Sequence, residues 1–228
     1  HSMKDVPTWL VDGTVLPCTL IREETNDVFI CKKYNSLKDL PDGSIIGSAS
    51  LRRQAQLLGA NPTFKVVNFR GNVQTRLKKI ENDIVDGTLL ALAGLRRLGM
   101  DTVLEESEVL SWEDMLPAVA QGAIGIQCRA DDSRVLSFLE VLNHPETKAA
   151  VDCERAFLRR LDGNCRTPIA GQARILNGRM EFQGIISKPN GSDMIRITRH
   201  CAMTDDAELL GDEAGLEVRK IAGDSFEE

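Results

Sequence analysis

Ser44-Ile45-Ile46-Gly47-Ser48-Ala49-Ser50-Leu51-Arg52-Arg53-Gln54-Ala55-Gln56-Leu57-Leu58 reads as a strand, Ser44–Ser50, that runs straight into a helix, Leu51–Leu58. Two further units of the same kind follow. Phe64–Phe69 is strand-like and leads into a helix over Asn72–Asn82, with Asn72 as N-cap. Thr88–Ala93 is a strand followed by a helical turn through Leu98. Strands alternating with helices predict an α/β unit with a largely parallel sheet.

Downstream, Ala123–Cys128 reads as a buried strand and Asp131–Leu142 and Pro145–Leu161 as successive helices. Pro145 suits the first turn of the second helix. After Cys165 the pattern changes. Ile169–Leu176 and Met180–Ile186 flank Asn177-Gly178, a strong short-range hairpin signal. Pro189-Asn190-Gly191 marks another turn, Met194–Cys201 another strand, and Asp205–Ile221 a last helix. This is an α+β unit with an antiparallel sheet, expected to be separate from the first half, with a boundary near Leu142–Pro145.

The 228 residues carry a net charge of −6. That argues against generic nucleic-acid binding, which shows a basic excess. No apolar run approaches the ~20 residues of a membrane span. The six cysteines (Cys18, Cys31, Cys128, Cys153, Cys165, Cys201) include no CxxC pair. They suggest neither a disulfide framework nor a zinc site, and fit a reducing compartment. His1, His144 and His200 are too dispersed for a metal cluster, so no metal is expected.

The arginines carry the functional signal. Arg52 and Arg53 lie in the first turn of a helix, beside Ser48 and Ser50 and the helix's free N–H groups, an arrangement suited to anions. Helix dipoles prefer acids there, so two arginines run against local preference. Arg70 ends the next strand, Arg76 lies in the first turns of the next helix, and Arg96 and Arg97 follow Thr88–Ala93. Three strand ends that each deliver arginine predict one cleft for a ligand with several carboxylates or phosphates. Any single arginine reads better as a solvated surface residue with acid neighbours; the recurrence at three strand ends favours the cleft. Asp5 precedes Val6, which Pro7 restricts to an extended backbone, and reads alone as a cap or turn residue. Cys165 lies in a turn-rich segment next to Arg166, which favours thiolate, but a small buried residue is the plainer reading.

Taken together these segments resemble the porphobilinogen deaminase (hydroxymethylbilane synthase) family. The resemblance rests on HSMKDVPT (1–8), GSASLRR (47–53), FRGNVQTRL (69–77), LAGLRRL (92–98), LPAVAQGAIG (116–125), CERAFL (153–158) and DGNC (162–165), in family order across nearly the whole chain. It implies two lobes like those of periplasmic solute-binding proteins plus a C-terminal domain. Residues 1–20 and 118–140 would be the remainder of domain 1, 24–114 domain 2, and 145–228 domain 3. It also implies that family sequence precedes the position of His1. The first lobe is therefore expected to be incomplete, and the chain unstable or inactive unless the rest is supplied.

The resemblance further implies a transferase that joins four porphobilinogen molecules, with loss of ammonia, onto a covalent dipyrromethane cofactor and releases hydroxymethylbilane. Cys165 would attach the cofactor. Asp5 would be the catalytic carboxylate. Lys4, Ser48, Ser50, Arg52, Arg53, Arg70, Arg76 and Arg97 would bind acetate and propionate groups, with Gln121 a weaker contact. The implied partner is a small molecule, with no nucleic acid and no membrane, on a monomer. The segment 116–126 looks like the plastid branch, which suggests a plastid-type organelle, with the cytoplasm as the other choice. Two other classes fit parts of the pattern. A non-catalytic solute-binding module for polycarboxylates would bind without a covalent adduct, and an anionic-polymer binder would bind with steep salt dependence.

Overall fold

The computed structural model describes residues 1–161, 168–202 and 206–223. In chain order the strands are β1 (Thr14–Thr19), β2 (Asp27–Cys31), β3 (Ile45–Gly47), β4 (Lys65–Val67), β5 (Gly87–Ala91), β6 (Glu108–Val109), β7 (Gly125–Arg129), β8 (Ile169–Leu176), β9 (Arg179–Ile186) and β10 (Ile195–Ala202). The helices are α1 (Leu51–Ala60), α2 (Val73–Glu81), α3 (Leu92–Arg97), α4 (Asp101–Glu105), α5 (Ser133–Leu142), α6 (Pro145–Arg160) and α7 (Ala207–Ala222). Short 3-10 turns cover Met3–Asp5 and Leu37–Asp39. No described helix is long and apolar enough to cross a membrane.

The opening stretch forms β3 and α1, capped by the Ser50 side chain, which accepts from Arg53 N. Asn72 caps α2 by accepting from Thr75 N at 2.8 Å. These units build a five-stranded sheet in the order β4-β3-β5-β2-β6. Alternation along β2 and β5 sends side chains to both faces. Phe29 and Leu89 join Ile46, Leu57 and Phe64 on one face, and Val28, Ile30 and Leu90 join Ile80, Leu92 and Leu95 on the other.

The sheet is not largely parallel. β3 pairs in parallel with β4 and β5, but β2 is antiparallel to both β5 and β6. The antiparallel strand enters from β1 through a direct crossing rather than through a helix, so the strand–helix rhythm gives no sign of it.

The second sheet has two strands, β1 and β7, antiparallel, with a register shift between Val15 and Cys18. Pro17 lies inside β1; a proline without an N–H belongs at a bulge or an edge, and it hides this strand in a pattern reading. The chain start lies alongside: Met3 N donates to Ala123 O at 3.0 Å and Gly125 N to His1 O at 3.0 Å.

The third sheet, β10-β9-β8, is antiparallel throughout and packs against α6 and α7. Its first hairpin turns at Asn177 (φ 51°) and Gly178 (φ 72°), the positive pair a two-residue turn requires. Phe157 of α6 packs at a tilt against Phe182 of β9, centroids 4.9 Å apart.

The C-terminal unit is not separate in its core. Met3, Val6, Val119, Ala120 and Ala123 share one cluster with Val151, Phe157, Phe182 and Val218. Two strands cannot bury a face alone, so the β1–β7 sheet leans on α6. Its helix α5 leaves Phe138 61 % and Val141 85 % exposed.

Candidate functional site

Two segments cross between the β1–β7 sheet and the five-stranded sheet, one from Leu20 to Asn26 and one from Leu116 to Ala123. Leu20 N donates to Ile124 O at 3.0 Å and Glu23 N to Gly122 O at 3.2 Å. Gly122 has φ +83°, and a Cβ there would stand 2.5 Å from the Glu23 carbonyl oxygen, so the crossing needs glycine.

Asp27, the first residue of β2, is fully buried at this crossing. Its Oδ2 accepts from Arg52 Nη2 at 2.7 Å and Arg53 Nε at 3.1 Å. Its Oδ1 accepts from Arg53 Nη2 at 2.8 Å and Gln121 Nε2 at 2.9 Å. Arg52 Nη1 also donates to Leu116 O and Arg53 Nη1 to Leu89 O, each at 2.8 Å. Burial alone would raise the Asp27 pKa, but the charges and hydrogen bonds of Arg52 and Arg53 overcome it and hold the carboxyl well below the usual range. Two arginines at a helix start are thus explained locally: a buried carboxylate offsets their conflict with the helix dipole.

Lys4 extends the cluster. Its side chain is partly open to solvent, yet Nζ donates to Gln121 Oε1 at 3.4 Å. Desolvation and then Arg53 lower its pKa, against the pull of Asp27 and Asp5. Arg76 is half-buried and donates from Nε to Gly71 O at 2.9 Å; desolvation, then Arg53, lowers its pKa. Lys4, Arg52, Arg53 and Arg76 therefore form a cationic group around one acid. Arg52 Nε is buried and has no hydrogen-bond partner.

The other expected residues fall around this centre. Asp5 is exposed at the end of the Met3–Asp5 turn, beside Lys4. Ser48 is buried, and its Oγ accepts from Ser50 N at 3.1 Å, so both serines shape the turn into α1. Arg97 Nη2 donates to Gly122 O at 2.9 Å, next to Gln121. Arg70 is exposed, and no hydrogen bond joins its side chain to the cluster among the described residues. The expected single arginine-lined cleft is therefore a buried centre, Arg52 and Arg53, with Arg76 beside it and Arg70 and Arg97 exposed. Cys165 lies outside the described residues. Among the described residues no group of three or more His, Cys, Asp or Glu is arranged to hold a metal.

Pattern reading missed three residues. Asp27 is one. The others are Arg22 and Glu154: fully buried Glu154 accepts from Arg22 at 2.6 and 2.9 Å, from Ala120 N at 2.6 Å, from Gln172 Nε2 at 2.9 Å and from Ala173 N at 2.8 Å. For Arg22 and Asp27 the only signal was the charged run from Arg22 to Asp27 ahead of an apolar strand, which looks like a solvated linker, and Glu154 stood in the CERAFL stretch with nothing to mark it as buried.

Arg52 and Arg53 at the start of α1, Asp27 of β2 and Gln121 of a crossing segment thus meet in one buried ionic centre. The chain belongs to the porphobilinogen deaminase family. Residues 1–137 match the family's dipyromethane cofactor binding domain and residues 148–220 its C-terminal domain. It is 53 % identical to the chloroplastic porphobilinogen deaminase of Oryza sativa subsp. japonica and 52 % to that of Pisum sativum, over 99 % of this chain and 63 % and 62 % of theirs. It is 49 % identical to the porphobilinogen deaminase of Nitrobacter winogradskyi, over 99 % of this chain and 71 % of that one. The chain thus spans less than two thirds of the length of the two plant relatives. Among solved structures it is similar to an arginine transport periplasmic binding protein of Legionella pneumophila, with a TM-score of 0.35 and 17 % identity over 57 % of this chain and 58 % of that one.

Proposed function

We propose that this chain forms the larger part of an enzyme that links four porphobilinogen molecules, with loss of ammonia, and releases hydroxymethylbilane by hydrolysis. The observation that carries the reading is the buried Asp27–Arg52–Arg53 centre with Lys4 and Arg76 beside it, in a member of this family. Each porphobilinogen ring bears two carboxylates, and a net cationic site with the buried, unpartnered Arg52 Nε suits such a ligand. The same donor set fits a dipyrromethane cofactor, whose rings bear the same acids and which Cys165 would hold through a thioether. When bound, that group supplies the primer to which substrate is joined.

The chain's own residues have distinct tasks in this reading. Arg52, Arg53, Arg76 and Lys4 bind carboxylates and relieve repulsion between successive rings. Ser48 and Ser50 hold the turn that starts α1 and, with Arg70, Arg97 and Gln121, complete the contacts. Asp5 stabilises the cation left on porphobilinogen when ammonia departs, and assists the proton transfers. The plant relatives' chloroplastic names support a plastid-type organelle, and we take the assembled protein to act as a monomer on a small molecule.

Ammonia release on addition of porphobilinogen tests this, with the stretch of the rice relative that this chain does not span supplied. Asp5→Asn should still bind porphobilinogen but release ammonia on the order of 10²-fold or more slowly. Binding without ammonia release in the unaltered protein would instead favour a solute-binding module.

A further inference from the structure

We infer that Asp27 is a positioning residue for this site: it holds the guanidinium planes of Arg52 and Arg53 in place for a carboxylate ligand and ties them, through Gln121, to the turn that carries Lys4 and Asp5. The inference rests on the carboxylate-binding reading above and assigns a role to a residue that touches no ligand itself.

The geometry is specific. Arg53 spends its Nε–Nη2 edge on both oxygens of Asp27 and its Nη1 on Leu89 O, which fixes the plane from two sides. Arg52 is held by Nη2 on Asp27 and Nη1 on Leu116 O, which leaves its buried Nε without a partner. A long, flexible arginine loses side-chain entropy when it grips a ligand, and an arginine already fixed does not. The same carboxylate takes a hydrogen bond from Gln121, whose Oε1 accepts from Lys4 and whose Nε2 also donates to Thr25 O at 2.6 Å. An unbroken path therefore runs from the first turn of α1 through Asp27 and Gln121 to Lys4. It crosses both connecting segments, so the carboxylate-binding arginines and the Asp5 turn share one anchor.

The sign of a single substitution separates positioning from charge balance. Asp27→Asn keeps the shape and adds one net positive charge. If Asp27 only neutralised charge, an anion would bind the variant more tightly. Positioning predicts the reverse: with the remaining stretch of the rice relative supplied to both, porphobilinogen titrated calorimetrically into the folded variant binds about tenfold more weakly than to the unaltered chain, the loss expected when a charge-assisted contact is no longer held in place. Equal or tighter binding by a variant with native circular dichroism overturns the inference. Should Asp27→Asn not fold, Asp27→Glu keeps the charge and moves both guanidinia. It should retain the fold and still bind severalfold more weakly, and unchanged affinity there also overturns it. An unaltered chain that binds no porphobilinogen overturns the carboxylate-binding reading, and the inference falls with it. Loss in the Asp27 variants alone would leave both standing.

Discussion

Asp27 and Glu154 are both fully buried carboxylates, and each is tolerated only because arginine and further donors surround it. Glu154 joins Arg22 and Ala120, on the two crossing segments, to β8. Glu154→Ala would strand the Arg22 charge, and the cost should be about 3–5 kcal/mol, measured by urea unfolding. A loss below about 1 kcal/mol, the value of a surface pair, contradicts the geometry. Asp27 also makes stability depend on acid. Its folded pKa lies below its unfolded value, so its contribution is complete above about pH 4 and is lost as pH falls toward the folded pKa. Acid titration of Asp27→Asn, followed by tryptophan fluorescence, should show a shallower stability loss below about pH 4 than the unaltered chain. Neither carboxylate was legible in the sequence, because an acid reads the same whether it faces water or the guanidinium of an arginine distant along the chain. The arginines were legible as an anomaly at a helix start, although their partner was not.

Secondary structure is legible in this sequence where turn and cap chemistry is local. Asn72, His144 with Pro145, and the Asn177-Gly178 hairpin all stand where their residue types predict. β1 and β2 escaped, one because Pro17 breaks its pattern and the other because its partners lie far along the chain. Two glycines distinguish local from tertiary demands. At Gly178 a Cβ meets nothing within 4 Å, so Gly178→Ala should cost only the left-handed backbone, about 1–2 kcal/mol. At Gly122 the same change adds a clash with the Glu23 carbonyl, so Gly122→Ala should be clearly the more destabilising of the two. Thermal midpoints of both variants check the order, and equal losses would contradict the close crossing of the two segments.

Over the whole molecule, the two-stranded sheet and α5 are the weak point. Phe138, Val141 and Leu142 of α5 are all more than half exposed, and apolar surface gathered on one helix invites association. The chain alone should sediment with concentration-dependent mass, and replacing Phe138 and Val141 by Ser should reduce that dependence. A chain that stays monomeric at every concentration contradicts this. The central claim is that this chain holds a carboxylate-rich pyrrole primer at Cys165. The most direct test is intact mass after exposure to porphobilinogen, beside Cys165→Ser, with the remaining stretch of the rice relative supplied. Burial raises the pKa of the Cys18 and Cys153 thiols, which keeps them protonated and unreactive. The account predicts a mass excess of one dipyrromethane in the parent and none in the variant. No excess in the parent, or an excess that survives Cys165→Ser, would contradict it.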